Sequence, residues 1–527
     1  MDKRFIIGGL MFWAGVSGYM GLRVLESYTE DAVYAVLSVV PATAKEIRYN
    51  FLTDDLRVTG IEYEIPHDTI VHQGTIDSVE VTKFHRKIMY VKPNMAPYAA
   101  DELPRVGEDF KIRGIADRVH KGRSVMETKI AEVDMKGWYQ RVGMVLDNFA
   151  RKGVGEAFFE ELFRTRVDEL SARGIEMTLT DPSMKAPFSL RADQFSVPGG
   201  IQAPRGTEKT TPVNMVLDRV SFAQGDISGT VGRVDLKGLR APEPDKLARI
   251  HALAKELREK KADALSDEML STLCTSWDKY APFSVAGVQN VSVKPGKDAQ
   301  PVKAASASYA LSRKGDTWSD SMKCTGLELK PELFKGMEAT VKRFAPEGLK
   351  MDIASDSTSD SKSVHSTGSY VVNGLGKLDT VTSLEGEFGQ LRKLCLSTDV
   401  AALDPFALAS GLKVQNLKVS YADSGLLPLI LSAIADNVAM PPAVLAQEAS
   451  TVAFGMATDG NTLLRKVGTA LGQQLLTPGE LEIAFAPEKS MTVDEFMNRL
   501  LTEPASLPFK VTSKPGTKPM QEYFLEQ

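Results

Sequence analysis

Cysteine is scarce in this chain. Cys274, Cys324 and Cys395 are the three among 527 residues, far apart and outside any Cys-x-x-Cys. One pair is compatible with oxidation outside the cytoplasm, but spacing does not choose it, and three buried thiols acting as small hydrophobes fit equally. Catalytic signatures are missing too. There is no His-Glu-x-x-His, no Gly-x-Ser-x-Gly and no Gly-x-x-x-x-Gly-Lys-Ser/Thr, which removes the commonest zinc-protease, serine-hydrolase and nucleotide-binding readings. Positive charge is not in excess: 63 Lys and Arg stand against 68 Asp and Glu, for a net charge of −5 and a pI near 5.9. That balance gives no electrostatic reason to bind nucleic acid. The six histidines, His67, His72, His85, His120, His251 and His365, are scattered. His67 and His72 make a metal imaginable, but a spacing of five puts them on opposite faces of a strand. Asp423-Ser424-Gly425 has the aspartic-protease triplet without a second copy, and reads as a strand-end turn that caps a helix. Asp352, Asp356 and Asp360 lack the alternate spacing and closing glutamate of a calcium loop. No metal, cofactor or enzymatic activity is expected.

What the chain does have is an uncharged run, Phe5 to Leu22, eighteen residues between Arg4 and Arg23. As a helix, at about 1.5 Å per residue, it spans roughly 27 Å, just enough for a thin hydrocarbon core. Lys3 and Arg4 precede it, and Glu26, Glu30 and Asp31 follow. The positive-inside bias then leaves the N-terminus in the cytoplasm and the body outside. An uncleaved membrane anchor is the expectation, in a single-pass inner-membrane protein with its bulk in the periplasm. A cleaved signal peptide is the alternative, with Val16-Ser17-Gly18 the nearest substitute for a cleavage site. A buried core helix is the third reading, and it lacks a polar face.

Beyond the run, Glu26 to Val40 reads as helix, stopped by Pro41. Ile47, Tyr49 and Phe51 alternate with polar neighbours, Thr53-Asp54-Asp55 turns the chain, and Leu56 and Val58 resume the alternation, which predicts a hairpin. Past Gly60 the apolar set moves by one residue to Ile61, Tyr63 and Ile65, which predicts a bulge. Strands are expected over Ile76–Phe84, Phe110–Ile115 and Val125–Val133, then helices over Tyr139–Arg151 and Gly155–Ala172. Strand-like pattern returns at Phe188–Val197 and Met215–Leu236, before helices from Asp245 and from Ser266. Strands dominate Phe283–Leu329 and Leu349–Leu396 around a short helix at Pro331–Phe344. The last third mixes a strand at Leu412–Tyr421, helices near Leu426–Asn437, Pro442–Ala457 and Thr462–Leu476, and a strand at Glu480–Phe485. Thr492-x-x-Glu495 forms a capping box for a final helix. The tract Ser355–Ser369 fits a linker and a hairpin with one wet face equally. The expected class is α+β, an N-terminal transmembrane helix followed by antiparallel-sheet repeats with helices packed on one side. The expected partition is an anchor over 1–25, a β-rich domain over 26–140, a helix/strand unit over 141–282, a β-rich unit over 283–405 and a mixed unit over 406–527.

Two weak repeats run through this body. Pro-Phe-x-aliphatic recurs at Pro187, Pro282, Pro405 and Pro508, and an aliphatic-x-x-aliphatic-x-aliphatic string at Ile76–Val81, Leu217–Phe222, Val288–Val293 and Val414–Val419. Phe283, Val285, Val291, Val293, Leu412, Val414, Leu417 and Val419 then line one surface, as plain core or as an open groove for an acyl chain. The anchor, the phrase Leu56-Arg57-Val58-Thr59-Gly60-Ile61 and these strings carry a likeness. Leu375-Gly376-Lys377-Leu378, Leu384-Glu385-Gly386 and Tyr421-Ala422-Asp423-Ser424-Gly425-Leu426 add to it. With them the chain resembles, at the level of pattern, the bacterial AsmA-like and YdgA-like inner-membrane proteins. For the AsmA-like proteins the resemblance implies an elongated apolar groove for lipid between the bacterial membranes. The helical content after Gly425 departs from a long uniform groove. The expected function is envelope maintenance through lipid binding or transfer; the rival is a non-enzymatic scaffold that binds another envelope protein.

Overall fold

The computed structural model describes residues 23, 26–38, 41–67, 70–85, 105–139, 166–201, 212–240, 283–386, 412–458 and 462–525. The anchor expected over 5–22, the helices expected over 140–151 and 245–280, Cys274, Cys395 and the Pro-Phe copy at 405 lie outside them. The chain divides into two compact units, Met1–Ala241 and Pro242–Gln527.

In the first unit a helix over 26–38 (α1) leads into β1 (Ala42–Asn50), β2 (Asp55–His67), β3 (Ile70–Thr82), β4 (Arg105–Lys121) and β5 (Ser124–Tyr139). β6 (Arg166–Thr180), β7 (Phe188–Val197), β8 (Val213–Gln224) and β9 (Ile227–Leu239) follow. Each strand pairs antiparallel with the next in sequence. The hairpin expected around Thr53 is β1–β2, with its turn at 51–54. α1 closes part of the β1 edge: Glu30 accepts from the Tyr49 amide at 2.9 Å and Glu26 from the Phe51 amide at 3.3 Å. Carboxylates on α1 thereby accept from amides at the β1 edge. One expectation fails here. The helix expected over Gly155–Ala172 ends in β6, where Val167 and Ala172 are buried and the ladder to β5 overrides a locally helical pattern.

The phase slip read at Gly60 is real, but it is not a bulge. Glu46 faces Thr59 and Ala44 faces Ile61, so no residue is inserted and the register stays one-to-one. Instead Gly60 adopts a left-handed φ of 60°, and Leu56, Val58 and Ile61 all join one core cluster. The same event recurs in every second strand, at Gly114 (φ 65°), Gly174 (φ 61°) and Arg219 (φ 50°). The register aligns these positions. Gly60 and Gly114 flank Asp77, Gly114 and Gly174 flank Ala131, and Gly174 and Arg219 flank Asp193. One line of kinks therefore crosses the sheet. On either side of it the same face stays apolar: Val58, Val79, Ile112, Val133, Ala172 and Phe195 form one cross-strand row, and Ile61, Ile76, Ile115, Ile130, Ile175 and Ala192 the next. Residues three apart replace residues two apart at the line, which is the physical content of the aliphatic-x-x-aliphatic string. The other face carries charge, with Arg57, Glu80, Arg113 and Glu132 linked by ion pairs.

The second unit begins with β10 (Val285–Lys294), β11 (Val302–Lys314) and β12 (Thr317–Leu329), then α2 (Glu338–Phe344), β13 (Leu349–Ser359), β14 (Ser363–Val372), β15 (Gly376–Glu385) and β16 (Lys413–Asp423). Three helices, α3 (Leu426–Val438), α4 (Pro442–Thr458) and α5 (Thr462–Leu476), precede β17 (Glu480–Phe485). β18 (Met491–Thr492), α6 (Val493–Thr502), β19 (Phe509–Lys514) and α7 (Met520–Leu525) complete it. The strands are again antiparallel neighbours in chain order to β17, with β18 beside β16 and β19 beside β17. The kink line reappears at Asn290 (φ 52°) and Gly326 (φ 60°), on either side of Ala305. The serine-rich tract is a hairpin: Ser355 faces Gly368 and Ser357 faces Ser366. Thr492 caps α6 by accepting from the Glu495 amide at 3.1 Å. Phe188 and Phe509 each open a strand, yet a helix precedes Pro508 and only a turn precedes Pro187, so the fuller repeat does not hold. Among the described residues no single helix is long and apolar enough to cross a membrane; α3 and α4, bent by 104°, meet the length and composition test only as a pair.

Candidate functional site

The sheet of the second unit is covered at its two ends and open between them. At one end, α2 and α3 pack Val341 and Leu429 onto Leu349, Met351 and Val372. At the other, α6 lays Phe496 and Leu500 over Val414, Leu417 and Phe485, whose ring meets Phe496 edge-on at 4.9 Å. Between these covers the same face presents Tyr309, Met322, Tyr370 and Val419 at 38, 44, 38 and 44% exposure. Register puts them together: Tyr309 faces Met322, Met322 faces Ser355, Ser355 faces Gly368, and Val419 faces both Thr380 and Ile483. Gly368 makes room for the Tyr370 ring, since a Cβ there would lie 3.1 Å from it. Tyr370, one row over, leans across Gly368, so that these side chains, with Ser355 and Thr380 between them, form a shallow strip that can take an extended hydrocarbon.

The eight residues singled out in the sequence distribute unevenly around this strip. Val419 lies in it, and Phe283 stacks edge-on against Tyr309 at 6.1 Å. Val414 and Leu417 belong to the cluster under α6, and Leu412 is half-buried beside β16. Val291 and Val293 are half-buried opposite Ala304 and Val302, beyond the kink at Asn290. Val285 faces Ala310, a register position on the opposite side from Tyr309. Tyr309, Met322 and Tyr370 escaped the sequence reading. Tyr309 and Met322 have polar or small neighbours and Tyr370 runs into Val371 and Val372, so local pattern singles out none of them, and only cross-strand register brings them together.

At the junction of sheet and helices, Asp423 behaves as the triplet suggested. Its carboxylate accepts from the Gly425 amide at 2.8 Å and the Leu427 amide at 2.7 Å, and from the Tyr421 hydroxyl. The two amides are backbone donors at the start of α3, and the hydroxyl comes from β16. Burial pushes the Asp423 carboxyl above its usual range against those three donors, and burial together with Asp423 pushes the Tyr421 phenol up. A raised folded value means that the folded chain holds this proton more tightly than the unfolded one. The group's contribution is then greatest at low pH and declines as pH rises from about 4 through the folded value. Thermal melts should show Asp423→Asn gaining on the parent chain over that interval; a difference independent of pH contradicts it.

Among the described residues no three of His, Cys, Asp and Glu converge as a metal site requires. Cys324 is an unbridged, half-buried thiol whose proton burial holds in place, above the usual thiol range. The comparisons with known proteins are sparse. A family profile described as "Uncharacterized protein" matches residues 369–513. That stretch runs from within β14 to within β19 and so includes Asp423, Val419 and the cover formed by α6. No curated protein matches the chain.

Proposed function

We propose that the chain is a membrane-anchored, extracytoplasmic protein of envelope maintenance that holds or passes lipid along the apolar face of its sheets, without chemistry on it. The observation that carries the reading is the open strip of Tyr309, Met322, Tyr370 and Val419 between two helix-covered ends. A face meant only as core would be covered throughout, because soluble proteins rarely leave such rows exposed. The segregation of charge to the other face of the first unit supports the same reading, as does the apolar run Phe5–Leu22 for the membrane.

Glutamates at Met322 and Val419 test it. Both side chains are already 44% exposed, so each substitution should cost about 0.5 kcal/mol or less in stability. Lipid recovered with the purified full-length double variant should fall at least about tenfold, as charges in an acyl-binding strip demand. Undiminished lipid in the variant contradicts the proposal. A lipid-free parent chain that retains a stable protein partner favours the scaffold instead.

A further inference from the structure

Among the described residues, the apolar rows of Ile61, Tyr63 and Ile65 in the first unit are interrupted by one carboxylate, and it is built rather than accidental. Asp117 on β4 projects into the row Tyr63, Gly74, Asp117, Thr128, Met177, Leu190. The Tyr63 hydroxyl donates to Asp117 Oδ1 at 2.8 Å, although a whole strand separates them. Gly74 on that intervening strand makes the reach possible. A Cβ there would stand 2.4 Å from the Tyr63 hydroxyl oxygen, so no other residue leaves the ring its path. His72 completes the group, its Nδ1 3.5 Å from Asp117 Oδ2. Half-buried Ile65, Ile76, Ile115, Val119 and Met126 surround it on the same face.

The charge balance of these rows selects a ligand. Among the described residues no lysine or arginine occupies the row of Tyr63, the row of Ile61 or the row of Ile65. A carboxylate offers about four acceptor positions; the Tyr63 hydroxyl takes one, and His72 Nδ1 lies 3.5 Å from the other oxygen. The side chains of His72 and Asp117 remain 41 and 20% exposed, so the group can be reached. An apolar face interrupted by an accessible carboxylate with spare acceptor capacity is complementary to an acyl chain whose polar end is a donor cation.

We infer that Asp117, beside Tyr63 and His72, is a headgroup site for lipids bearing a primary ammonium. This rests on the proposed lipid-holding role of the sheets and adds which headgroup they prefer. The test incubates the full-length chain in detergent with equimolar phosphatidylethanolamine and phosphatidylglycerol of matched chains, then repurifies it and quantifies bound lipid by mass spectrometry. The parent chain should enrich the ethanolamine lipid roughly tenfold, the worth of one charge-assisted hydrogen bond. Asp117→Asn, close in shape, should bind as much lipid in total with a ratio near one. Tyr63→Phe breaks the same hydrogen bond but keeps the carboxylate, and should retain the enrichment; losing it equally would mean that local disruption, not charge, sets the ratio. Water-soluble glycerophosphoethanolamine should not displace the bound lipid, and displacement would overturn the acyl-lipid assignment. An unchanged ratio in Asp117→Asn overturns the headgroup site alone, whereas absence of lipid from every variant overturns the lipid-holding role as well.

Discussion

Gly114→Val is expected to destabilise the first unit by about 4 kcal/mol in urea denaturation. Two costs add. A β-branched residue held at a left-handed φ loses about 2 kcal/mol, and the new side chain overlaps its surroundings for a similar amount. The overlap is specific, because a Cβ at Gly114 would lie 1.9 Å from the Asp77 carboxylate, on the strand that it faces. Gly122 is the control. It has nearly the same φ of 61°, in the β4–β5 turn, with nothing within 4 Å of a Cβ, so Gly122→Ala should cost about 1 kcal/mol. Relief by straightening β4 is not available cheaply. Continuous alternation would send Ile115 and everything after it to the charged face. Equal costs at the two glycines would show that the aligned kinks do not organise the sheet.

Gln474→Leu is expected to cost the second unit about 3 kcal/mol, although leucine matches the volume and the site is 3% exposed. The buried amide holds α5 to the sheet through three bonds. Its Nε2 donates to the Glu480 carbonyl at 2.8 Å and to the Ser513 hydroxyl at 3.1 Å, and its Oε1 accepts from the Gly479 amide at 2.7 Å. A leucine leaves those groups buried without partners, where an apolar replacement cannot compensate. Exposed Lys466 on the same helix should tolerate leucine within about 0.5 kcal/mol. Urea midpoints of the two variants separate the outcomes, and a mild effect at Gln474 would mean that α5 is held by apolar packing alone.

Much of this architecture is legible in the residue order. Alternation marks β1 and β2, the capping box marks α6, and Asp423-Ser424-Gly425 reads as a turn leading into a helix. The phase slip at Gly60 is legible too, but its nature is not. A slip looks the same in one strand whether a residue is inserted or a single φ turns positive; only the partner strand, where Ala44 still faces Ile61, tells them apart. Arg219 hides the same event behind a residue that rarely adopts that conformation, held opposite Asp193 by an ion pair. β6 misleads because Arg166–Thr180 has good helix formers, and its pairing with β5 is invisible from local pattern. Asp117 escapes for a related reason. Flanked by Ala116 and Arg118 it looks like a solvated strand residue, and only the ring crossing Gly74 shows which face it serves.

Photolabelling with a diazirine-bearing phospholipid in native membranes, followed by peptide mapping, tests most directly whether lipid lies on the apolar side of these sheets. Adducts are expected on Tyr309, Met322, Tyr370 and Val419, and on the rows beside Asp117. Adducts confined to Phe5–Leu22, or spread over the charged side that carries Arg57, Glu80 and Arg113, would contradict it.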